Sequence, residues 1–408
     1  MRIVLKLLVG PLVCLATAHA QVPSSVTGPK ALPFSGKVDY HLHFSQNAEF
    51  GSSFGDWQTS TASATAEYMN TSHRFPFSMQ YGGGYTWTLT GPDYSTGLFQ
   101  RLYLSQGVSW GRWNALASDD ASYRPQAPTT GFSGIPGIGE TIGIANPAPP
   151  SGQTILTLHT HVVDNVAAGN IARTIAGANT FSVGGSSYLL RYPDGNGIDT
   201  TSYTGDASLT HRLNARDALS GKYLFSQFRY PDANFSFDTH TGSLEFTRSW
   251  NRKLSTDLSA GPEWTSASGA TVPSALRPSI AASLTYQFRS VSASVVYSRA
   301  TSGGGGYLIG AKTDRASVNL AREFGRSLSF GLNGSYMRTA GLQGGITSSK
   351  YGGVQITRKL GPQISFFANY TAIDQSTSSA LPGNALSGLM HMASVGISYG
   401  SREVHVGH

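Results

Sequence analysis

The chain has 408 residues, of which 12% are charged and 39% are apolar, with 48 glycines and 19 each of phenylalanine and tyrosine. This composition excludes a disordered chain. The formal net charge is +7 without any basic run, which argues against a nucleic-acid partner. The length alone fits two or three soluble domains or one large β-barrel.

The N-terminus has the order of a secretory signal peptide. Arg2 and Lys6 precede an apolar stretch, and Ala18-His19-Ala20 follows it as a small-residue cleavage site. We therefore predict a signal peptide over residues 1–20 and a periplasmic N-terminal extension over residues 21–35. Cys14, the only cysteine, lies in the predicted signal, so the mature chain is expected to have no thiol. Because no later apolar run approaches 18 residues, we expect no membrane-spanning helix.

A short motif recurs along the chain from residue 171 to residue 360. It consists of an aliphatic or aromatic residue, usually Thr or Ala, usually a basic residue, any residue, and a large apolar residue. The six copies begin at residues 171, 209, 246, 284, 320 and 356. A period of about 37 residues accommodates two strands of roughly 11 residues, one tight turn and one longer loop. The repeat is therefore predicted to be a β-hairpin.

Apolar and polar residues alternate with a period of two within these segments, as Leu328, Phe330 and Leu332 do with Ser327 and Ser329. This alternation is typical of half-apolar strands. The repeats supply twelve strands from about His161 to Ile373, and Leu389 to Tyr399 supplies the last one. Five more strands are predicted at Gly36 to Ser45, Ser60 to Asn70, Phe75 to Leu89, Leu98 to Trp110, and Trp113 to Tyr123.

These segments predict an all-β fold, a single transmembrane antiparallel up-and-down β-barrel of about 18 strands over residues 36–400, with 16 strands as the alternative. Short periplasmic turns and longer extracellular loops would join the strands, and residues 401–408 would form a periplasmic tail. A β-propeller or a soluble β-sandwich would be the competing all-β folds.

In such a barrel the apolar set of each strand faces lipid and the polar set faces the lumen. The interior of a barrel of this size is too wide for side chains to fill, so we expect a hydrated, weakly charged pore. Glycine clusters at 82–84 and 303–306 are interpreted as strand bends and a loop tip. The candidates for the pore wall are Lys37, Asp39, His41, His43, Glu245 and Asp257.

Near both ends of the strands, basic residues occupy the same alternating positions as the lipid-facing apolar residues. At the turn end these are Arg173, His211, Arg248, Arg322 and Arg358. At the loop end these are Arg191, Arg229, Arg299 and Arg338. Arginine pairs well with phosphate, so we expect a girdle that contacts lipid headgroups and lipopolysaccharide. The alternative is that these side chains simply end each strand in water.

No enzyme motif stands out. His159 with His161, and His41 with His43, alternate on one strand face, but no third ligand with fixed spacing follows either pair. The sequence therefore predicts no metal, no cofactor and no catalytic residue. A hydrolase with residues on the barrel rim stays open as the third function considered.

The signal peptide, the hairpin repeat and the terminal strand ending at Tyr399 resemble those of bacterial outer-membrane β-barrel proteins. The segment from Pro125 to Gly137 resembles one found in an uncharacterised porin-like group of such barrels. The resemblance covers essentially the whole mature chain and implies insertion into the outer membrane by the barrel-assembly machinery. One departure is that Gly400 to His408 continue beyond the terminal aromatic residue on which such chains usually end. The resemblance does not indicate an oligomeric state.

The resemblance also implies a function, which is the passive diffusion of small hydrophilic solutes through a porin-like channel. In general porins the third external loop folds into the barrel and narrows it. Residues 124–157 are predicted to be that loop here, which makes Phe132 and Glu140 candidates for the constriction. A loop that lies over the mouth or outside it is the alternative, and a structural or adhesive barrel without transport is the alternative function.

Overall fold

The computed structural model describes residues 36–51, 55–70, 72, 74–91, 96–125, 161–195, 197–268, 274–304, 308–378, 387–401 and 404–406. Nineteen strands lie within them. They are β1 Gly36–Phe50, β2 Trp57–Asn70, β3 Phe77–Thr90, β4 Gly97–Trp110, β5 Trp113–Pro125, β6 His161–Ala176, β7 Asn179–Arg191, β8 Thr200–Arg212, β9 Asp217–Tyr230, β10 Phe235–Ser249, β11 Leu254–Ser268, β12 Ala275–Phe288, β13 Val291–Ser302, β14 Ala311–Phe324, β15 Leu328–Gly341, β16 Ile346–Lys359, β17 Ile364–Thr377, β18 Gly388–Gly400 and β19 Val404–Val406.

The first eighteen strands form one closed antiparallel barrel. Each pairs with its neighbours in the chain, and β1 also pairs with β18 in a continuous register from His41 with Gly400 to Phe50 with His391. The predicted fold class is therefore confirmed, with 18 strands rather than 16. The short β19 pairs with Gly36 to Val38 of β1, so a segment predicted as tail contributes one further strand there.

The barrel has two different ends. One, called the turn end here, holds Gly36, Gly400 and tight connections such as residues 111–112, 177–178 and 289–290. The opposite one, called the loop end, holds the connections after the odd-numbered strands. Two of those are as short as turns, namely residues 231–234 and 342–345. The first is closed by a single 3₁₀ turn and by Asn234 in the left-handed region at φ 46°. These two short connections differ from the prediction of longer loops at this end.

Several strands extend farther towards the loop end than their apolar alternation indicates. β1 continues to Phe50 instead of ending at Ser45, and β2 begins at Trp57 instead of Ser60. Asn47 in this extension donates from Nδ2 to Thr59 at 3.2 Å and to Thr61 at 3.4 Å. Polar pairs of this kind hold the backbone ladder together where the alternation fades, so a hydrophobic pattern underestimates the strand.

The register gives each strand an outward and an inward face. Tyr40, Leu42 and Phe44 point outward and are each more than 40% exposed, whereas His41 and His43 between them point inward. Exposed large apolar residues of this kind occur on the outward face of strands all around the sheet. A continuous apolar belt suits contact with lipid, not water. Among the described residues, no helix is long and apolar enough to cross a membrane.

Two adjacent residues at mid-height of β14 test this assignment. Val318 points outward and Asn319 points into the lumen. We expect Val318→Arg to destabilise the inserted barrel by about 2–4 kcal/mol, because a charge then faces hydrocarbon, while Asn319→Arg is tolerated in water. Unfolding of the refolded barrel from lipid vesicles by urea measures the difference, and equal stabilities of the two variants would contradict the assignment.

Candidate functional site: the lumen of the barrel

The six residues proposed for the pore wall all point into the barrel, in its turn-end half. Lys37, Asp39, His41 and His43 alternate along β1. The rings of His41 and His43 stack with their centroids 6.2 Å apart, and His41 Nε2 lies 3.7 Å from Asp39 Oδ2. These contacts form a polar strip at the turn end of the lumen.

Glu245 and Asp257 stand on the opposite part of the wall and are both partnered. Glu245 forms an ion pair with Lys222 of β9, and Asp257 accepts a hydrogen bond of 3.0 Å from the Ser283 hydroxyl. The serine and threonine content of the inward positions of β8 to β12 supplies such partners along the wall. The wall is therefore polar, and these two carboxylates are held by neighbouring strands.

A second set of charges, on β4 to β6, is also paired. Arg101 donates to Asp120 from Nε at 2.9 Å and from Nη2 at 2.6 Å. Asp164 accepts from Arg124 at 3.0 Å and from Ser122 at 2.6 Å. Bidentate pairing of an arginine with a carboxylate fixes both side chains and cancels most of their field. This part of the wall therefore presents hydrogen-bonding groups without a strong field of one sign.

The loop-end half of the lumen differs from the expectation of a water-filled pore throughout. Two clusters of buried apolar side chains lie inside the barrel there. One contains Val162, Leu190, Tyr192, Leu308 and Ala311. The other contains Phe228, Tyr230, Phe235 and Phe237. The narrowing predicted from the sequence was assigned to residues 124–157, and the connection between β13 and β14 that packs against these inward residues was not anticipated.

Leu308 is the residue that reveals that connection. It belongs to the segment between β13 and β14, yet it shares a buried cluster with Val162 of β6 and Leu190 of β7, which lie across the barrel. The described parts of this segment, residues 303–304 and 308–310, therefore lie inside the mouth. We call them the inward connection. They narrow the lumen at the loop end.

Tyr230 holds both ends of the inward connection with one hydroxyl. The hydroxyl donates to the Gly303 carbonyl at 2.7 Å and accepts from the Gly310 N–H at 2.9 Å. Tyr230 is 1% exposed, so both bonds are shielded from water. Gly310 has φ +65°, and an added Cβ would come within 2.6 Å of the Phe237 ring.

A buried carboxylate fixes the stem of the same connection. Glu263 of β11 accepts hydrogen bonds from the backbone N–H and the hydroxyl of Thr301, the former at 3.2 Å. Gly304 then bends the chain at φ +79°, where a Cβ would stand 2.1 Å from the Leu308 carbonyl oxygen. These contacts correct the interpretation of Gly303 and Gly304 as part of a loop tip, because both belong to a packed stem. Residues 305 and 306 lie outside the described residues. The signal that could have found the stem is the apolar pair Leu308-Ile309 in a predicted surface loop.

Phe132 and Glu140, the predicted constriction residues, lie outside the described residues, as do most of residues 124–157. His159 does so too. Among the residues that the structure describes, no three His, Cys, Asp or Glu side chains come together where a metal ion could be held.

The basic residues assigned to the headgroup girdle point outward near the strand ends. At the turn end, Arg173 lies over the Trp113 ring at 4.9 Å and Arg248 over Trp250 at 4.5 Å. At the loop end, Arg299 Nε lies 3.1 Å from Asp314 Oδ1. The other girdle residues that point outward are His211, Arg322, Arg358, Arg191, Arg229 and Arg338.

Comparison with known proteins gives a likeness to solved barrels only. No protein-family model matches the chain, and no curated protein matches it. The chain is similar to OccK2 (OpdF) of Pseudomonas aeruginosa, with 10% identity, a TM-score of 0.47 and coverage of 90% of this chain and 97% of that one. OccAB4 of Acinetobacter baumannii gives 10% identity, a TM-score of 0.48 and coverage of 90% and 98%. The assignment of the lumen rests on the geometry above, not on these likenesses.

The Tyr230 hydroxyl gives a direct test of the inward connection. Tyr230→Phe leaves the Gly303 carbonyl and the Gly310 N–H without that partner, which should cost about 1–3 kcal/mol of local stability. We expect faster hydrogen exchange at the Gly310 amide. Tyr223→Phe is the control, because Tyr223 lies on the same strand as Tyr230 and its outward hydroxyl bonds to His240. This variant should leave the exchange rate of the Gly310 amide unchanged. Unchanged exchange in Tyr230→Phe would contradict the described anchoring.

Proposed function

We propose that the chain forms a porin-like channel for the passive diffusion of small hydrophilic solutes. The observation that carries the proposal is the inner wall of the turn-end half, where polar and charged side chains of β1 and of β9 to β12 line an 18-stranded barrel. A barrel with this many strands has an interior that side chains projecting from its wall do not fill. Water and small polar molecules can then occupy the space.

The solutes proposed are small because the inward connection occupies part of the mouth. The paired charges of Arg101 with Asp120 and of Lys222 with Glu245 support uncharged or weakly charged polar solutes, since the wall offers many hydrogen-bonding groups and little unbalanced charge. Selection would then come chiefly from size at the loop end. Phe132 and Glu140 remain proposed contributors to that narrowing.

We also propose that the barrel resides in the bacterial outer membrane after export by the predicted signal peptide. The apolar outward belt supports contact with lipid, and outward arginines near both strand ends support contact with phosphate groups of lipids and lipopolysaccharide. Arg173 and Arg248, held over aromatic rings, are the best placed at the turn end. Insertion by the barrel-assembly machinery belongs to the same proposal.

A structural barrel without transport is the second candidate, and one observation favours it. The two apolar clusters and the inward connection lie in the loop-end half, where a plug would close the barrel. The two functions differ in one property, which is whether current passes when the inward connection is loosened. No catalytic residue is proposed.

A matched pair of glycine substitutions separates the two functions. Gly304→Ala strains a left-handed residue and pushes a Cβ into the Leu308 carbonyl, so it should displace the inward connection. Gly325→Ala also strains a left-handed residue, at φ +64°, but in a turn-end connection with nothing within 4 Å of the new Cβ. We expect Gly304→Ala to raise single-channel conductance or open probability in a planar bilayer, and Gly325→Ala to behave as the wild type.

Three results of that recording are informative. Larger steps for Gly304→Ala alone support a channel narrowed by the inward connection. Folded, inserted barrels that give no steps in any variant would support the structural barrel instead. Equal steps in both variants would keep the channel but remove the inward connection as its narrow part.

A further inference from the structure

The outward face of the barrel carries one charged residue away from both strand ends. Among the described strands, every other outward-facing Asp, Glu, Lys or Arg lies within four residues of a strand end, as Lys350 of β16 and Asp374 of β17 do. Asp119 lies six residues from both Trp113 and Pro125, the two ends of β5. It faces outward because it stands opposite Leu104 of β4, which in turn stands opposite the exposed Met79.

The surroundings of Asp119 differ from the rest of the apolar belt. Its Oδ1 accepts a hydrogen bond of 2.7 Å from Asn165 Nδ2 of β6. The outward residues next to it on β5, and those on β6 apart from Asn165, are small, whereas Leu104 of β4 is large. The outward face of β5 has no large apolar side chain between Trp113 and Tyr123. The small neighbours are Ala115, Ala117, Ala121, Ala167 and Gly169.

This arrangement is poorly suited to lipid. Acyl chains offer no hydrogen-bond donor, and a polar group exposed to hydrocarbon without enough partners is costly. Asn165 supplies one bond, but an ionised carboxylate can accept several. Small side chains allow a second protein surface to approach the strands closely, where it could supply the missing donors.

We propose that β5 and β6 form the contact face of a two-fold pair of two copies of this chain. Two copies inserted in the same direction can be related by an axis along the membrane normal, which brings the same patch of each together. With the axis between β5 and β6, Asp119 of each copy is brought beside the partner's β6, the strand that carries Asn165. The patch is therefore self-complementary, with an acceptor and a donor side by side.

The same amide can serve both contacts. Asn165 Nδ2 carries two hydrogens, one directed to Asp119, while its next acceptor, the Asp120 carbonyl, is 3.5 Å away. The second hydrogen can thus reach a carboxylate of the partner. The pairing does not depend on which solute passes through either barrel, so it can fail or succeed independently of the proposed function.

Cross-linking through a single introduced cysteine tests the pair. The mature chain is expected to have no cysteine, because Cys14 lies in the predicted signal peptide. Ala117→Cys places a thiol on the patch, and Ala316→Cys places one on the outward face of β14, away from it. After mild oxidation in vesicles of the full-length mature protein, we expect a disulfide-linked pair in several-fold higher yield for Ala117→Cys.

Equal yields for the two cysteine variants would indicate random collision and overturn the proposal. Finding only monomers in both variants would overturn it as well.

A second step tests the role of the carboxylate. Asp119→Leu in the Ala117→Cys background replaces the carboxylate with an apolar side chain that is compatible with lipid. This variant should still form a folded, heat-modifiable barrel, but its yield of cross-linked pair should be several-fold lower. An unchanged yield in that folded variant would overturn the assignment of Asp119 to the contact.

Discussion

Closure of the sheet is the constraint on which the rest of the molecule depends. Backbone N–H and C=O groups have no partners in hydrocarbon, so a strand-based membrane protein must pair every strand on both sides. The pairing of β1 with β18 removes the two open edges, and the even number of strands puts Gly36 and Gly400 at the same end. Once the barrel is closed, the two-residue alternation of side chains divides each strand into a lipid-facing and a lumen-facing set.

That division explains why so much of the fold could be predicted from the sequence. Leu328, Phe330 and Leu332 alternate with polar residues because one face of the strand meets lipid and the other meets the lumen. The recurring motif marks the turn-end part of successive hairpins, so its six copies predict twelve of the eighteen strands. The loop-end boundaries of the strands, as in β1, were harder to predict. Polar pairs such as Asn47 with Thr59 sustain strand pairing there without an apolar pattern.

The residues that narrow the lumen could not be predicted from this alternation. Leu308 shares a buried cluster with Val162 and Leu190, which lie far from it in the chain. The apolar pair Leu308-Ile309 indicates burial but does not specify these partners. In the sequence, Tyr230 cannot be distinguished from any aromatic residue at a strand end. In the structure, its hydroxyl anchors Gly303 and Gly310. Long-range packing inside a lumen leaves no periodic signal. By contrast, the inward parity of Lys37, Asp39, His41, His43, Glu245 and Asp257 followed from alternation alone.

The narrowing of the lumen depends on the position of the connection between β13 and β14 inside the barrel mouth. A double variant, Leu190→Cys with Leu308→Cys, measures this directly in a mature chain that is expected to have no other cysteine. The two side chains share one buried cluster, so oxidation of the folded barrel should join them in a disulfide detectable by mass spectrometry of a protease digest. If both thiols instead stay reduced and react fully with a water-soluble maleimide, the inward connection, and the narrowing assigned to it, would be contradicted.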